Sequence, residues 1–309
     1  MKYTATSKTL DQLVDKLLSQ GLRIEDIDTA KDTILKTGFF RFNRYMHSFQ
    51  ESDGKGAYNF VDGTVLDNVI EVYQFDTSLR MAIFEAIANI EVSFKAILNY
   101  YMYITFGPHW YISDRIYKPA FTQVIDDNSN SGYDKFLIKL TSECVNSKEQ
   151  YIKKYRQDFE DPELPPCWMI MEIIPFGTVC SLYQNISDTP IRQAIAEKFN
   201  TLHNILETWL ISLSYLRNQC AHHHKIIDRA FMFPPIIPKR KTHKFLNDCD
   251  IIEESSLYAI LCIIQHMLRS LGLNPTFKDR LKHLALNSKS FDIKNLGFTD
   301  DWQKEPIWN

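Results

Sequence analysis

Apolar residues recur at helical spacing through most of the chain. Leu10, Leu13, Val14, Leu17 and Leu18 lie three or four positions apart, and the run closes at Gly21. That spacing predicts a helix over residues 10–20. The pattern returns over 24–37 and stops at Gly38. The longest helical segment is expected over 75–105, where Leu79, Ile83, Ile87, Ile90, Phe94, Ile97 and Tyr101 form one apolar stripe ended by Gly107 and Pro108. Further helices are expected over 135–155, over 168–185 with breaks at Pro175 and Gly177, and over 249–271 and 277–286. A helix over 202–227 would turn Leu206, Leu210, Leu213 and Leu216 to a core. Residues 51–63 carry Asp53, Gly54, Gly56, Asp62 and Gly63, which is loop chemistry, as are 129–132, 161–166 and the proline-rich basic stretch 233–244. The expected fold is all-α, with an N-terminal helical region over 1–63 and a larger helical domain over 64–309. No internal repeat is present.

Composition narrows the class. Glycine numbers 10 in 309 residues, roughly half of the usual ~7%, which favours helices over a hairpin-rich fold. Hydrophobic residues at 45% and charged residues at 24% exclude a disordered chain. A net charge of −3 excludes a globally basic coat, so any contact with phosphate must be local. The segment Met1-Lys2-Tyr3-Thr4-Ala5-Thr6-Ser7 has no apolar run of the signal-peptide kind. The uncharged run 96–113 contains Asn99, Gly107, Pro108 and His109, which suits a helix end and loop rather than a membrane span. Six scattered cysteines without a CxxC pair point to reduced thiols in a cytoplasmic protein and away from a zinc ribbon.

One segment concentrates proton-handling groups: Leu216-Arg217-Asn218-Gln219-Cys220-Ala221-His222-His223-His224-Lys225. Three readings compete. Histidines at a helix C-terminus can simply complement the helix dipole. A metal site is disfavoured, because adjacent helical positions diverge by about 100° and no i, i+4 histidine pair occurs; no metal and no cofactor are expected. The third reading is metal-independent RNA cleavage, which needs a base for the 2′-hydroxyl, an acid for the leaving oxygen and a cation for the phosphorane. Histidine and arginine suit those tasks. Arg217 and His222 lie five positions apart, about 140° around a straight helix, so one chain struggles to aim both at one phosphate. Two copies facing each other across a dimer axis supply the pair. Asn218, four positions before His222, can orient its ring or bind phosphate.

Beyond that segment, several blocks occur in order: "SQGLRIEDIDTAKDTILKTGFFRFNRYMHSF", "FDTSLRMAIFEAIANIEVSFKAILNYYMYITFGPHWY", "LPPCWMIMEIIPFGTVCSLYQNI", "LRNQCAHHHKIIDR" and the ending "LGFTDDWQKEPIW". Together they resemble the Abi-like (AbiD/AbiF-type) abortive-infection proteins of bacteria, within the HEPN superfamily of α-helical domains. The fourth block is similar to the family's RNxCAHHxxxxNR signature, with Asp228 in place of its asparagine; the last has Thr299 where the family has proline. The resemblance implies a HEPN-type helical bundle with an N-terminal helical extension. It also implies an Arg-x4–6-His ribonuclease motif whose composite site is shared by a homodimer. Arg217, Asn218 and His222 take the catalytic places, with His223 as a secondary contact. Glu91 and Lys95 fit the Glu-x3-Lys motif of several HEPN members, although Ala96 stands where those have asparagine; the alternative is a plain surface ion pair. The resemblance further implies an RNA target and an antidote RNA or antitoxin protein that restrains the toxin. A non-catalytic RNA-binding or scaffolding module in a defence or toxin–antitoxin system is the alternative function, and a helical interaction protein is a third.

Other features carry weaker expectations. Lys225, Lys239, Arg240, Lys241 and Lys244 form a basic run that is either a solvated loop or a phosphate strip beside the motif helix. The aromatic cluster Phe39 to Tyr45, and likewise Trp168, Phe176 and Tyr183, read as core. On a straight helix His224 shares the face of Arg217 and meets Asp228 four positions on. The expected order of importance is His222, then His223, then His224.

Overall fold

The computed structural model describes residues 7–52, 54, 58–124, 130–239, 243–247, 249–250 and 252–309. They form an all-α fold with a small hairpin. In chain order the elements are α1 (Leu10–Ser19), α2 (Ile27–Thr37), α3 (Phe39–Met46), β1 (Gln50–Ser52), β2 (Tyr58–Phe60), α4 (Leu66–Phe106), α5 (Pro119–Thr122), α6 (Gly132–Asn146), α7 (Gln150–Asp158), α8 (Cys167–Ile173), α9 (Phe176–Asn185), α10 (Thr189–Glu197), α11 (His203–Ala221), α12 (Leu257–Leu271) and α13 (Phe277–Asn287).

Helix α4 is the spine. Its 41 residues span roughly 60 Å at ~1.5 Å per residue. Asn68 Oδ1 accepts the Val65 N–H at 3.1 Å at its start, and Gly107, at φ 86°, ends it. Helices α3, α8, α9, α10, α11, α12 and α13 all pack against it. The apolar stripe of α4 read from sequence is buried: Leu79, Ile83, Ile87, Ile90 and Phe94 are sealed from solvent. Within that stripe lie two charges, Asp76 and Arg80, which are also buried. Helix α12 is buried on every side from Leu257 through Leu268, as expected of a helix apolar all round. Each such apolar side chain contributes about 1.5–3 kcal/mol relative to exposure. One continuous core runs from Val14 to Trp308.

Several boundaries differ from the sequence expectation, each for a local reason. Within the expected loop, β1 and β2 pair antiparallel, with Gln50 opposite Phe60. The aromatic cluster after Gly38 is itself helix α3; Phe42 and Tyr45 are core, but Phe40 is 85% exposed. The segment 135–155 splits into α6 and α7 at Ser147, whose backbone is extended and whose hydroxyl accepts the Glu149 N–H. Pro175 does break α8 from α9, whereas Gly177 lies inside α9. There its missing side chain makes room, since a Cβ would stand 3.0 Å from Ser214 Oγ. Helix α10 is absent from the sequence expectation although Asp188 and Pro190 mark its start; its Arg192 is buried against Glu207 of α11. The helix expected from 249 begins at Leu257, where the Ser256 hydroxyl accepts the Ala259 N–H. Phe176 and Tyr183 are core, but Trp168 is half exposed, with its ring edge-on to Tyr103 at 6.4 Å. The helix expected over 202–227 stops at Ala221, which shapes the site below.

Candidate active site at the end of α11

Helix α11 is fixed by Leu206, Leu210, Leu213, Leu216 and Cys220 on its buried side. Arg217, one turn from its end, projects toward α4. Its guanidinium lies over the Phe84 ring at 5.7 Å, and its Nε stands 3.6 Å from Glu91 Oε2. That separation is an ion pair without a hydrogen bond, and Nε is buried with no hydrogen-bond partner. Nη1 donates to Asn218 Oδ1 at 3.3 Å. The side chain as a whole remains 34% exposed. Glu91 also holds Lys95, with Nζ 3.0 Å from Oε1, and Lys95 donates to the Ile174 carbonyl at 2.9 Å. The two motifs read separately from sequence therefore meet as a row, Lys95–Glu91–Arg217, with one surplus positive charge. Glu91 and Lys95 are only 13% and 16% exposed, so they are not the solvated surface pair that the spacing alone allows.

The histidines occupy a turn, not a helix. His222 caps α11. His223 takes a left-handed backbone at φ 55°. The His223 N–H donates to the Cys220 carbonyl at 3.1 Å and the His224 N–H to the Gln219 carbonyl at 2.9 Å. This is a Schellman closure with histidine where glycine is usual, and a non-glycine residue there is strained. The straight-helix argument that placed His224 on the face of Arg217 therefore fails beyond Ala221. His224 Nδ1 lies 2.8 Å from Gln219 Oε1 and its ring is 6.1 Å from that of His222. Its pKa is lowered by desolvation first, then by the positive charge of His222, Arg44, Arg229 and Arg41. Asp228 does not meet His224; it takes Lys225 Nζ at 2.7 Å and the Ser48 hydroxyl at 2.9 Å.

The backbone of this turn is held from below. Arg41 of α3 donates to the His223 carbonyl, and Arg80 Nη1 to the His224 carbonyl at 3.4 Å. The fully buried Asp76 carboxylate accepts the N–H groups of Ile226 and Ile227 at 3.0 and 3.2 Å. It also accepts the Tyr45 hydroxyl at 2.7 Å and pairs with Arg80. This capture of two backbone donors holds the chain after the turn. All three imidazoles stay exposed, and neither His222 nor His223 makes a side-chain hydrogen bond among the described residues. Sequence reading missed Asp76, Arg80 and Arg41; a carboxylate and an arginine four apart resemble any surface pair. The available signal was that both fall inside the apolar stripe of α4.

Of the basic residues, Lys225 lies in the histidine turn, whereas Lys239 lies at the other end of α11. Lys225 is an internal tether, with Nζ also donating to the Arg44 carbonyl at 3.1 Å and lying over the Tyr45 ring. Lys239 pairs with Asp250 at 2.6 Å, and Lys244 donates to the Asn247 carbonyl. Arg240 and Lys241 lie outside the described residues. This loop packs on the opposite end of α11, where Trp209 Nε1 donates to the Ile236 carbonyl and Lys239 shares a cavity with Leu202 and Asn204. Arg217 is about 18 Å further along the helix, by the ~1.5 Å rise over the dozen residues from Ile205. Lys239 therefore does not lie beside Arg217.

Neighbouring groups bound the chemistry further. The Cys220 thiol is buried and pushed up to about 12 by desolvation, so it stays protonated at neutral pH and is no nucleophile. All six cysteines are buried. Among the described residues no group of three or more His, Cys, Asp or Glu has the geometry to hold a metal ion, and no helix is long and apolar enough to cross a membrane.

Comparison with known proteins places this arrangement. No curated protein and no solved structure matches the chain. Residues 32–228 match the family described as Abi-like protein, a span that begins in α2, contains the whole of α4 and ends four residues after His224. Since that span covers well over half of the sequence, the chain belongs to the Abi-like protein family.

Proposed function

We propose that the protein is an abortive-infection effector that cleaves RNA without a metal ion, through a HEPN-type centre built on Arg217, Asn218 and His222. Membership of the Abi-like family points to a role in phage defence. The observation that supports the activity is a partly exposed arginine whose Nε has no hydrogen-bond partner, five residues before an exposed histidine turn in which the His222 and His223 side chains make no hydrogen bond among the described residues. In the reaction a histidine removes the proton of a ribose 2′-hydroxyl. The 2′-oxygen attacks the adjacent phosphorus and the bond to the 5′-oxygen breaks. A second imidazole protonates that leaving oxygen, which yields a 2′,3′-cyclic phosphate and a free 5′-hydroxyl. Arg217 stabilises the charge that builds on the phosphorane, while Glu91 and Lys95 hold its direction. His222, free of side-chain hydrogen bonds, is the acid–base group; His223 is a secondary contact, and His224, bonded to Gln219, contributes least. Two protomers share the centre, which supplies two histidines to one phosphate. The setting is the cytoplasm, and an antidote RNA or antitoxin protein restrains the toxin.

Expression of the wild-type chain alone tests this reading. Growth should arrest, and Arg217→Ala or His222→Ala, folded as wild type, should relieve the arrest. Full toxicity of both variants overturns it. RNA binding without cleavage by the purified wild-type protein favours the non-catalytic scaffold instead.

A further inference from the structure

The groove next to Arg217 differs in charge from its surroundings. It encloses about 430 Å³ between α6, α9 and the end of α11. Arg217 and Asn218 form one wall; Lys135 and Lys139 of α6 form another, with Thr178 and Ser181 of α9 between them. No carboxylate is among the described residues that line it. In a chain of net charge −3 the groove gathers three cations, of which only Arg217 has a carboxylate nearby, Glu91 at 3.6 Å. The neighbouring cavities differ: the one beside Lys95 contains Glu91 and Glu172, and the one beneath His223 contains Glu85. Both lysines are exposed, and neither has a carboxylate partner among the described residues. Three other cations of the region do have carboxylate partners: Lys95 with Glu91, Lys225 with Asp228 and Arg280 with Glu85.

The geometry points to this groove as the track for the phosphodiester backbone of a single-stranded RNA, with Lys135 and Lys139 as its phosphate contacts. The choice of RNA as the polymer rests on the ribonuclease reading above. Residues four apart on a helix present side chains about 5–6 Å apart, a spacing comparable with successive phosphates of an extended strand. The strand would then run from the phosphate at Arg217 along α6, with the Thr178 and Ser181 hydroxyls as further donors. Helix α9 starts at this wall without a side-chain cap, and its first residues, Phe176 and Gly177, line the groove. Contacts of this kind carry affinity and register and no sequence preference.

The test is the salt dependence of binding to a labelled 20-nucleotide 2′-O-methyl RNA, whose blocked 2′-oxygen prevents cleavage, followed by fluorescence anisotropy in EDTA. For single strands the logarithmic salt slope is about −0.7 per phosphate neutralised. The full-length Lys135→Ala/Lys139→Ala protein should therefore lose about 1.4 from the slope and bind roughly tenfold more weakly at low salt. Lys135→Arg/Lys139→Arg should keep both properties, which separates charge from packing. With cleavable RNA the loss should fall mainly on KM. An unchanged slope and affinity in the alanine protein, with a wild-type circular dichroism spectrum, overturns the proposal; so does a groove that takes up a protein segment and leaves RNA binding unaltered. The outcomes separate the two readings. A wild type that binds the blocked RNA with lysine dependence but cleaves nothing defeats the nuclease and keeps the groove. A wild type that cleaves while the lysine variants behave identically defeats the groove alone.

Discussion

Two arginines meet carboxylates on α4, and their contrast separates what holds the molecule together from what is left available. Arg80 and Asp76 are one turn apart on the same helix, both buried, and every partner of the carboxylate is made: two backbone N–H groups, the Tyr45 hydroxyl and the guanidinium. Arg217 comes from a different helix, stands 3.6 Å from Glu91, keeps a buried Nε without a hydrogen bond and is one-third exposed. A saturated buried network specifies structure. An under-satisfied, partly exposed cation can still bind an anion. The difference teaches that the first pair fixes the histidine turn and the second leaves a cation available to an anion.

The largest effect on stability should come from breaking the saturated pair. Asp76→Ala leaves a buried Arg80 and two buried N–H groups uncompensated, at a cost of about 3–5 kcal/mol. Urea unfolding should register it as a lower midpoint; a loss under about 1 kcal/mol would show that the network is not structural.

Buried and exposed histidines sharpen the same contrast. His266 stacks on Phe245 and bonds the Phe199 carbonyl at 3.1 Å, and desolvation pushes its pKa down to about 4. An unfolded imidazole titrates near 6.5. Between those values the unfolded chain binds a proton that the folded chain does not. Stability is therefore complete above about pH 6.5, falls as pH drops toward 4 and levels off below it. At ~1.4 kcal/mol per unit the full effect is about 3 kcal/mol. Unfolding free energies measured at pH 7 and pH 4.5 should draw closer together in His266→Gln than in wild type. An unaltered pH dependence would place the acid sensitivity elsewhere.

His223→Gly should act in the opposite direction from most substitutions. It removes the cost of a side chain at φ 55° and should raise stability by about 0.5–1 kcal/mol, while RNA cleavage falls. A variant that is less stable than wild type would mean that the imidazole itself supports the turn. The smallest effect is the stability coupling of Arg217 with Glu91. A double-mutant cycle with Arg217→Met and Glu91→Gln should give less than about 1 kcal/mol; a value near that of a buried pair would erase the distinction drawn here.

Regular periodicity made the helices legible, and the arginine end of the motif with them. Leu206 to Leu216 repeat at helical spacing, so Arg217 was placed on a helix, and Glu91 and Lys95 on another. That the two meet across α4 and α11 depends on packing between residues more than a hundred positions apart, which no local pattern encodes. The histidine end was misread as continued helix because His222, His223 and His224 carry no glycine or proline to announce a turn. Asp76, 150 residues earlier than Ile226 in sequence, holds the chain after the turn by accepting the N–H groups of Ile226 and Ile227. The basic run is visible as composition, but the place of Lys239 at the far end of α11 is not. Lys135 and Lys139 looked like any polar helix face.

The account stands most directly on purified protein incubated with RNA in EDTA, with cleavage products assayed for 2′,3′-cyclic phosphate ends and thermal melts run in parallel. Wild type should produce such ends, and Arg217→Ala should melt within a few degrees of it while cleavage falls by about 10²-fold or more. Equal cleavage by the two proteins, or products without cyclic ends, would contradict the proposed centre.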